Sequence, residues 1–361
     1  MSASFSVASS TGSYQVTIAA DSFASTLASL ESPHLIADEF FRLNLPNLAH
    51  PPILLEATEQ AKSLDRSPAL IEALRIAGAN RNSQLVALGG GVIQDISAFI
   101  ASIYMRGLSW TYIPTTVLAM VDSCIGGKSS INVGPYKNLV GTFHPPQTIL
   151  IDPTLARTLP PEQFASGLIE AAKICFCRGP ESFSSYLASN PSPNMPTSAL
   201  EQVTLSSLLA KKHFIEIDEF DRNERLLLNF GHTFGHALEG ASHYAIPHGI
   251  AVGLGILCAS AFQRNRGINL ASIPKVQQLE SHLTTLIQTL PNLPTHLRDL
   301  DLDLDEVLQR LASDKKHSTT QYTLILLNAS GDVSLERINR TPQLEADLRQ
   351  AIAATIDTHT E

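Results

Sequence analysis

The chain has 361 residues, of which 44% are hydrophobic and 16% charged, a composition that excludes a disordered protein and allows two domains. Its net charge of −9 argues against protein-wide attraction to nucleic acid but allows a local basic pocket. It has no apolar run of the roughly 20 residues that a membrane span needs, and its N-terminus lacks the features of a secretory signal. Four cysteines in a chain of this length are typical of a reducing compartment, so we expect a cytoplasmic protein. From the charge and the hydropathy, we expect it to bind neither nucleic acid nor membranes.

The first 150 residues alternate between strand-like and helix-like segments. Strands are predicted at HLIADEFF, where the strand ends at Asp38, and at QLVALGGG, LSWTYIPTT and TILID. The stretches between them are long enough for crossover helices. This pattern favours a mostly parallel α/β sheet, as in Rossmann-like nucleotide-binding domains.

Beyond Asp152 the pattern becomes helical. Apolar residues recur at helical spacing in TLPPEQFASGLIEAAKICF, LEQVTLSSLLAKKHFIEI and GIAVGLGILCASAFQRN, and Pro160 and Pro161 suit a helix start. YTLILLNASGDV is typical of a hairpin with its turn at Ser330, Gly331 and Asp332. The sequence therefore predicts an α/β nucleotide-binding domain over residues 1–152 and a mainly α-helical domain over 153–361.

A glycine turn, GGG at 89–91, follows one predicted strand and opens a helix. Glycines let backbone N–H groups approach a pyrophosphate at the positively polarised start of a helix, although the same turn can be purely structural. Asp38, at the end of an earlier strand, stands where a ribose contact is expected or where an ordinary N-cap would lie.

Two histidines four residues apart, His232 and His236, share one face of a predicted helix, a spacing suited to a divalent metal. His248 and Glu170 could complete a site with nitrogen and oxygen ligands and one open position. These histidines could instead cap helices or form hydrogen bonds in the core. The pair Cys175 and Cys177 lacks a second pair, so both are predicted to be packing residues.

Positively charged residues recur beside glycines and amides, and as a set they could form an anion pocket for phosphate and carboxylate. Each alone could instead be a solvated surface charge. The set comprises Arg106, Lys128, Lys137, Lys173, Lys211, Arg225, Lys315 and Lys316.

Taken in order, these segments resemble the 3-dehydroquinate synthase family, a branch of the sugar-phosphate cyclases. The matching segments are TEQAKS (58–63), GGGVIQD (89–95), YMRG (104–107), PTT (114–116), DSCIGGKSSIN (122–132), KN (137–138), LIEAAK (168–173), NFGHTFGHALE (229–239), PHG (247–249) and DKK (314–316). The resemblance spans roughly Asp38 to Asp332. It implies the dehydroquinate synthase-like fold, a bound NAD, a divalent metal (zinc or cobalt) and 3-deoxy-arabino-heptulosonate 7-phosphate as substrate.

The resemblance also implies a role for each matching residue. It implies metal ligands at Glu170, His232 and His248, with His236 and Asp221 in a proton relay. It implies NAD contacts at Asp38, Glu59, Lys62, Gly90, Gly91, Asp95, Thr115, Thr116, Lys128, Lys137 and Thr158. It implies phosphate contacts at Lys128, Asn138, Lys315 and Lys316, and at Arg106 from the second subunit of a homodimer. It implies carboxylate contacts at Lys211, Arg225 and Asn229, and ring-hydroxyl contacts at Asp122 and Lys173.

The implied reaction begins with transient oxidation of the C5 alcohol by NAD while the metal polarises its oxygen. The neighbouring C–H becomes acidic, phosphate is eliminated, and the ketone is reduced again. Ring opening and an intramolecular aldol closure then form the carbocycle. The net redox change is zero, so positioning and electrostatics would supply much of the rate enhancement.

Several positions depart from the usual family pattern. Ile250 stands where the family usually has Glu, Gln94 replaces a Gly, Ile174-Cys175 replaces Tyr-Gly, and Asp221 replaces a Glu. These departures leave open a cyclase for an aminated or valiolone-type sugar phosphate. Against this, Gly126-Gly127-Lys128, His236 and Arg225 favour the dehydroquinate type. A metal-dependent polyol dehydrogenase and a non-catalytic binding or assembly module are two further possibilities that the sequence leaves open.

Overall fold

The computed structural model describes residues 2–290, 298–300 and 302–360, and the chain divides into two compact units. The first comprises the residues up to Leu159 together with Met195–Phe220, and the second comprises Pro160–Asn194 and the residues from Asp221 onward. The predicted domain ranges, 1–152 and 153–361, stay a prediction. The compact units differ from them because a helix from later in the chain packs with the first unit.

The first unit is built on a mostly parallel sheet. Its strands are β1 (Ala3–Val7), β2 (Tyr14–Ile18), β3 (His34–Asp38), β4 (Ile53–Leu55), β5 (Gln84–Gly89), β6 (Ser109–Pro114), β7 (Ile131–Val133), β8 (Tyr136–Val140) and β9 (Thr148–Ile151). Its helices are α1 (Phe23–Ser29), α2 (Ser67–Ile76), α3 (Gly91–Ile103) and α6 (Thr197–Ile217). Seven strands pair in the order β1-β2-β9-β6-β5-β3-β4, of which only β1 and β2 are antiparallel neighbours; β7 and β8 form a separate hairpin.

The four strands predicted from sequence are confirmed as β3, β5, β6 and β9. β5 and β6 are buried along nearly their whole length, as expected for parallel strands covered on both faces. β5 ends at Gly89 and α3 begins at Gly91. The glycine turn therefore lies at the carboxyl edge of the parallel strands, where α/β sheets bind their ligands.

The second unit is mainly helical. Its helices are α4 (Pro161–Arg178), α5 (Pro180–Ala188), α7 (His232–Ala241), α8 (His248–Asn265), α9 (Pro274–Gln288), α10 (Leu304–Ala312) and α11 (Pro342–Thr360), and its hairpin pairs β10 (Gln321–Leu327) with β11 (Val333–Asn339). The predicted helices are confirmed as α4, α6 and α8, and the predicted hairpin turns at Gly331, whose φ is 72°. The predicted fold class is therefore confirmed. In the described part of the chain, no helix is both long enough and apolar enough to span a bilayer.

Two glycines of α8 allow close helix packing in the second unit. A Cβ at Gly249 would lie 2.0 Å from the carbonyl oxygen of Ser166 on α4. A Cβ at Gly255 would lie 2.1 Å from the carbonyl oxygen of Gly231, immediately before α7. Any larger residue would force these helices apart. The same three helices carry Glu170 (α4), His232 and His236 (α7) and His248 (α8).

Candidate metal centre and cofactor site

The predicted metal-binding residues of the second unit converge in the structure. Glu170 Oε1 lies 3.8 Å from Nε2 of His232 and 3.6 Å from Nε2 of His248. One ring nitrogen from each of His232, His236 and His248 lies within 4.8 Å of the other two. Residues from three helices are thus close enough to share one ion.

Hydrogen bonds orient two of these imidazoles. The Nδ1 of His232 lies 3.3 Å from the carbonyl oxygen of Phe230, and the Nδ1 of His248 lies 3.1 Å from Glu239 Oε2. If each Nδ1 donates its proton to that oxygen, both Nε2 lone pairs face Glu170. Sequence reasoning assigned no role to Glu239, although it lies inside the matching segment 229–239. Ile250, the departure near His248, is fully buried, and His248 has a carboxylate partner in Glu239.

The carboxylate of Glu170 is fully buried, and its Oε1 finds no hydrogen-bond partner among the described residues. Its Oε2 forms an ion pair with Lys173, which is itself buried. A buried carboxylate oxygen without a donor is costly, and a cation is the natural way to satisfy it. One carboxylate oxygen and two imidazole nitrogens form a donor set that suits zinc or cobalt. The residues present therefore fit a divalent metal.

Burial keeps two of the histidines neutral. It lowers the pKa of His232 well below its ordinary value, and the positive charge of Lys173 adds to this. Desolvation, with His248 and Lys316 nearby, lowers the pKa of His236 to about 4, although His236 is an exposed residue, so its neutrality depends less on burial than that of His232. Burial opposes protonation of His248, but Glu239 and Glu170 raise its pKa overall. Neutral imidazoles are the form in which histidine binds metal.

A cavity of about 380 Å³ in this unit is lined in part by Asn229, Thr233 and Lys316. The Nζ of Lys316 is buried without a hydrogen-bond partner among the described residues, and it lies 3.7 Å from Oδ2 of Asp314. Burial lowers the pKa of Lys316. Lys315, in contrast, is exposed. The two adjacent lysines, both predicted to contact phosphate, therefore lie in different surroundings.

Two further predicted residues belong to the same unit. Arg225 is buried in the short helical turn Glu224–Asn229, which also carries Asn229. Asp221 is half-buried with a φ of 59°, and its negative charge opposes the lowering of the Lys316 pKa. The predicted relay carboxylate therefore acts electrostatically on the lysine of the cavity.

In the first unit, four residues predicted to bind cofactor or phosphate form one network. The Nζ of Lys62 donates to Asp95 Oδ2 and to Asn138 Oδ1, both at 2.9 Å, and lies 3.4 Å from Glu59 Oε1. Asn132, which sequence reasoning missed although it ends a matching segment, donates to Glu59 Oε1 at 2.8 Å and accepts from the backbone N–H of Asn138 at 2.9 Å. Lys62 thus has three acceptors, and the network holds Asn138 at a φ of 52°.

The glycine turn of the first unit is open to a ligand. Gly91 is exposed, a Cβ there would meet no heavy atom within 4 Å, and α3 begins without a side-chain cap. A Cβ at Gly90 would lie 2.8 Å from Cγ2 of Thr116, so glycine is required for this packing. Free N–H groups at an open helix start suit a pyrophosphate.

Other predicted residues of the first unit lie in varied settings. Asp38 Oδ1 accepts from the N–H of Phe40 at 3.1 Å, as an ordinary N-cap does. Asp122 Oδ1 pairs with Lys211 Nζ at 2.7 Å. Of the rest, Thr115 is buried, Lys128 is half-buried, and Arg106, Lys137 and Thr158 are exposed.

The cysteines behave as packing residues. All four are free, and burial raises the pKa of both Cys175 and Cys177 to about 12. A thiol in that state is a poor nucleophile at neutral pH, in keeping with the prediction that both are packing residues.

Comparison with known proteins relates the whole arrangement to one family. The family model described as 3-dehydroquinate synthase N-terminal matches residues 52–166, and the one described as 3-dehydroquinate synthase C-terminal matches residues 167–317. The 3-dehydroquinate synthase of Rhodopseudomonas palustris (strain BisB18) is 39% identical over 290 residues, covering 78% of this chain and 74% of the relative.

Solved structures show the same fold at lower identity. A 2-deoxy-scyllo-inosose synthase complexed with carbaglucose-6-phosphate, NAD+ and Co2+ has a TM-score of 0.81 and 21% identity, covering 98% of this chain and 99% of that one. The 2-epi-5-epi-valiolone synthase of Streptomyces hygroscopicus subsp. jinggangensis 5008, with NAD+ and Zn2+ bound, has a TM-score of 0.76 and 23% identity, covering 96% and 97%.

Proposed function

This chain belongs to the 3-dehydroquinate synthase family, as its motifs predict, and we propose that it converts 3-deoxy-arabino-heptulosonate 7-phosphate into 3-dehydroquinate and phosphate. The observation that carries the proposal is the buried Glu170 carboxylate facing Nε2 of His232 and His248. NAD and a divalent metal are its cofactors, supported by the NAD+ and Co2+ or Zn2+ named for the two solved cyclases.

Glu170, His232 and His248 hold the metal in this proposal, and the open N-terminus of α3 receives the pyrophosphate of NAD. When bound, the two cofactors supply reversible hydride transfer at one alcohol carbon and polarisation of that alcohol oxygen. Lys173 balances the charge of Glu170 and presents an ammonium next to the metal ligands, where it can donate to a ring hydroxyl.

Cationic and amide side chains bind the two anionic ends of the substrate in this proposal. The buried ammonium of Lys316 is 3.7 Å from the Asp314 carboxylate and gains a closer partner when a substrate anion enters. Arg225 and Asn229 bind the carboxylate, and Lys128 and Asn138 bind phosphate. His236, which is neutral at pH 7, and Asp221 provide the proton relay.

We also propose that the protein is a cytoplasmic homodimer in which Arg106 of one chain contacts the phosphate bound by the other. Arg106 is exposed on a turn where Met105 and Arg106 have φ values of 49° and 73°. Non-glycine residues rarely adopt such backbone, and strain of this kind tends to be kept where function uses it. The four free thiols support a reducing compartment. Sedimentation of the purified protein tests the dimer.

The direct test supplies purified protein with NAD, a divalent metal and the heptulosonate phosphate. We expect release of inorganic phosphate and 3-dehydroquinate without accumulation of NADH, because the cofactor is oxidised again in each turnover. A panel with sedoheptulose 7-phosphate and an aminated analogue distinguishes the other cyclases, and steady NADH production from glycerol-like alcohols would indicate a polyol dehydrogenase. No phosphate release from the heptulosonate under these conditions would refute the proposal.

A further inference from the structure

The segment that carries Asp122 is a wide helical turn in the first unit. Residues Ala119–Ser123 form a π-helical turn, closed by a hydrogen bond from the N–H of Cys124 to the carbonyl oxygen of Ala119 at 3.1 Å. The chain then leaves through Gly126 and Gly127, whose φ values are 100° and 66°. The last carbonyls of such a turn have no partner within the helix, and π-turns occur frequently at functional sites.

Side chains from two other helices bond to three consecutive carbonyls of this turn. Ser207 Oγ donates to the oxygen of Val121 at 2.8 Å, Lys211 Nζ to that of Asp122 at 2.6 Å, and Gln94 Nε2 to that of Ser123 at 2.7 Å. Ser207 and Lys211 belong to α6, whereas Gln94 belongs to α3. The turn is therefore held from two sides by donors that replace missing helical hydrogen bonds.

Gln94 and Ser123 bond to each other reciprocally. While the Gln94 amide nitrogen donates to the Ser123 carbonyl, the Ser123 hydroxyl donates to Gln94 Oε1 at 2.6 Å. Gln94 is only 4% exposed and Ser123 is half-buried, so the two bonds are only partly accessible to water. It is also the position at which the GGGVIQD segment departs from the glycine usual in the family. This chain thus places a side chain with two hydrogen bonds where the family pattern has none.

We propose that Gln94 is a positioning residue for the Asp122–Lys211 pair. Lys211 Nζ lies 2.7 Å from Asp122 Oδ1, and the Asp122 side chain remains partly exposed, as a substrate contact requires. Gln94 links the residue after Asp122 to the first turn of α3, the helix that opens at Gly91. The inference rests on the proposed function and on the substrate contacts at Asp122 and Lys211 that the family resemblance implies.

Gln94→Met tests the role because it removes both hydrogen bonds with little change in volume. We expect kcat for phosphate release to fall about tenfold while the affinity for NAD stays within about twofold, because lost orientation acts on the reacting pair. Gln84→Met is the matched control. It removes a hydrogen bond from Gln84 on β5 to Thr111 Oγ1 on the neighbouring strand β6, away from the Ala119–Ser123 turn. It should leave kcat within about twofold.

A double-mutant cycle separates positioning from general packing. If Gln94 acts through Asp122, then Gln94→Met in an Asp122→Asn background should cost less than about twofold in kcat. The same tenfold loss in both backgrounds would overturn the proposal. So would a Gln94→Met variant whose kcat stays within twofold of the wild-type value.

Amide hydrogen exchange gives a readout that does not depend on turnover. Exchange over residues 119–124 should be faster in Gln94→Met than in the unchanged protein and unaltered in Gln84→Met. If the unchanged protein releases no phosphate, the proposed function fails, and exchange alone then decides whether Gln94 holds this turn. Unaltered exchange in Gln94→Met would refute the contact itself.

Discussion

The two units treat buried charge in opposite ways. In the first unit, Lys62 is surrounded by acceptors, and Asp95 receives a second hydrogen bond from the N–H of Ser130. In the second unit, Glu170 Oε1 and the Nε2 atoms of two histidines face each other with no donor between them among the described residues. A closed network builds a framework, whereas converging acceptors without a donor form a site that a cation completes. Removing Lys62 from the first-unit network should therefore cost stability, whereas removing a residue of the second-unit site should cost metal binding.

The largest effect is expected for His248→Ala. Three protein ligands are few enough that two rarely suffice, so metal content and turnover should be lost together, with activity falling by about a thousandfold or more. Elemental analysis and phosphate release measure the two quantities. His213→Ala removes an exposed histidine and should retain both. Full metal occupancy and turnover in His248→Ala would show that the ligand assignment is wrong.

Lys62→Met should destabilise the fold by about 3 kcal/mol, the lower end of the cost of breaking a buried pair, because Asp95 loses its cation but stays partly exposed. Burial already raises the pKa of Asp95, and Lys62 counteracts it. The penalty should therefore shrink as the pH falls through the pKa of Asp95, since a protonated carboxyl needs no cation.

Urea unfolding measures this loss. The control is Lys212→Met, which breaks a partly exposed pair with Glu216 at 3.4 Å and should cost less than about 1 kcal/mol. Equal losses of unfolding free energy in the two variants would show that the Lys62 network is worth no more than a surface ion pair.

The neighbouring lysines of the DKK segment should behave differently. Lys316→Met should lower kcat/KM by roughly 10- to 100-fold, because a buried charge-assisted bond to a substrate anion is worth about 1.5–3 kcal/mol. Lys315→Met removes an exposed charge and should cost less than about threefold. Steady-state kinetics on the two variants tests this difference. A larger loss of kcat/KM in Lys315→Met than in Lys316→Met would contradict it.

The smallest effect is expected for Glu239→Gln, which keeps an acceptor near His248 Nδ1 but removes the charge. Partners of metal-binding histidines typically contribute 10- to 100-fold to affinity, and a retained acceptor places this change near tenfold. Competition with a chelator measures metal affinity, and Glu224→Gln, at an exposed position, is the control. Unchanged metal affinity would mean that Glu239 does not orient the His248 imidazole.

Local patterns predicted more of the fold than of the site. The strands β3, β5, β6 and β9 and the helices α4, α6 and α8 follow from hydrophobic spacing, which depends on neighbouring residues. The β1–β2 hairpin and the placement of α6 in the first unit did not follow, because both depend on which distant surface each segment covers. Among site residues, His232 and His236 were evident from their spacing, whereas Glu239 and Asn132 look ordinary until their partners are known.

By itself, the sequence determined the family and the glycine turn and predicted the candidate metal-binding side chains, because these depend on residue type and order. Only the tertiary structure decided which charges are closed into a network and which stay open to a ligand. That distinction depends on distances between segments far apart in the chain, such as Lys62 to Asn138 and Glu170 to His248. Tertiary packing sets such distances, and no local pattern encodes them.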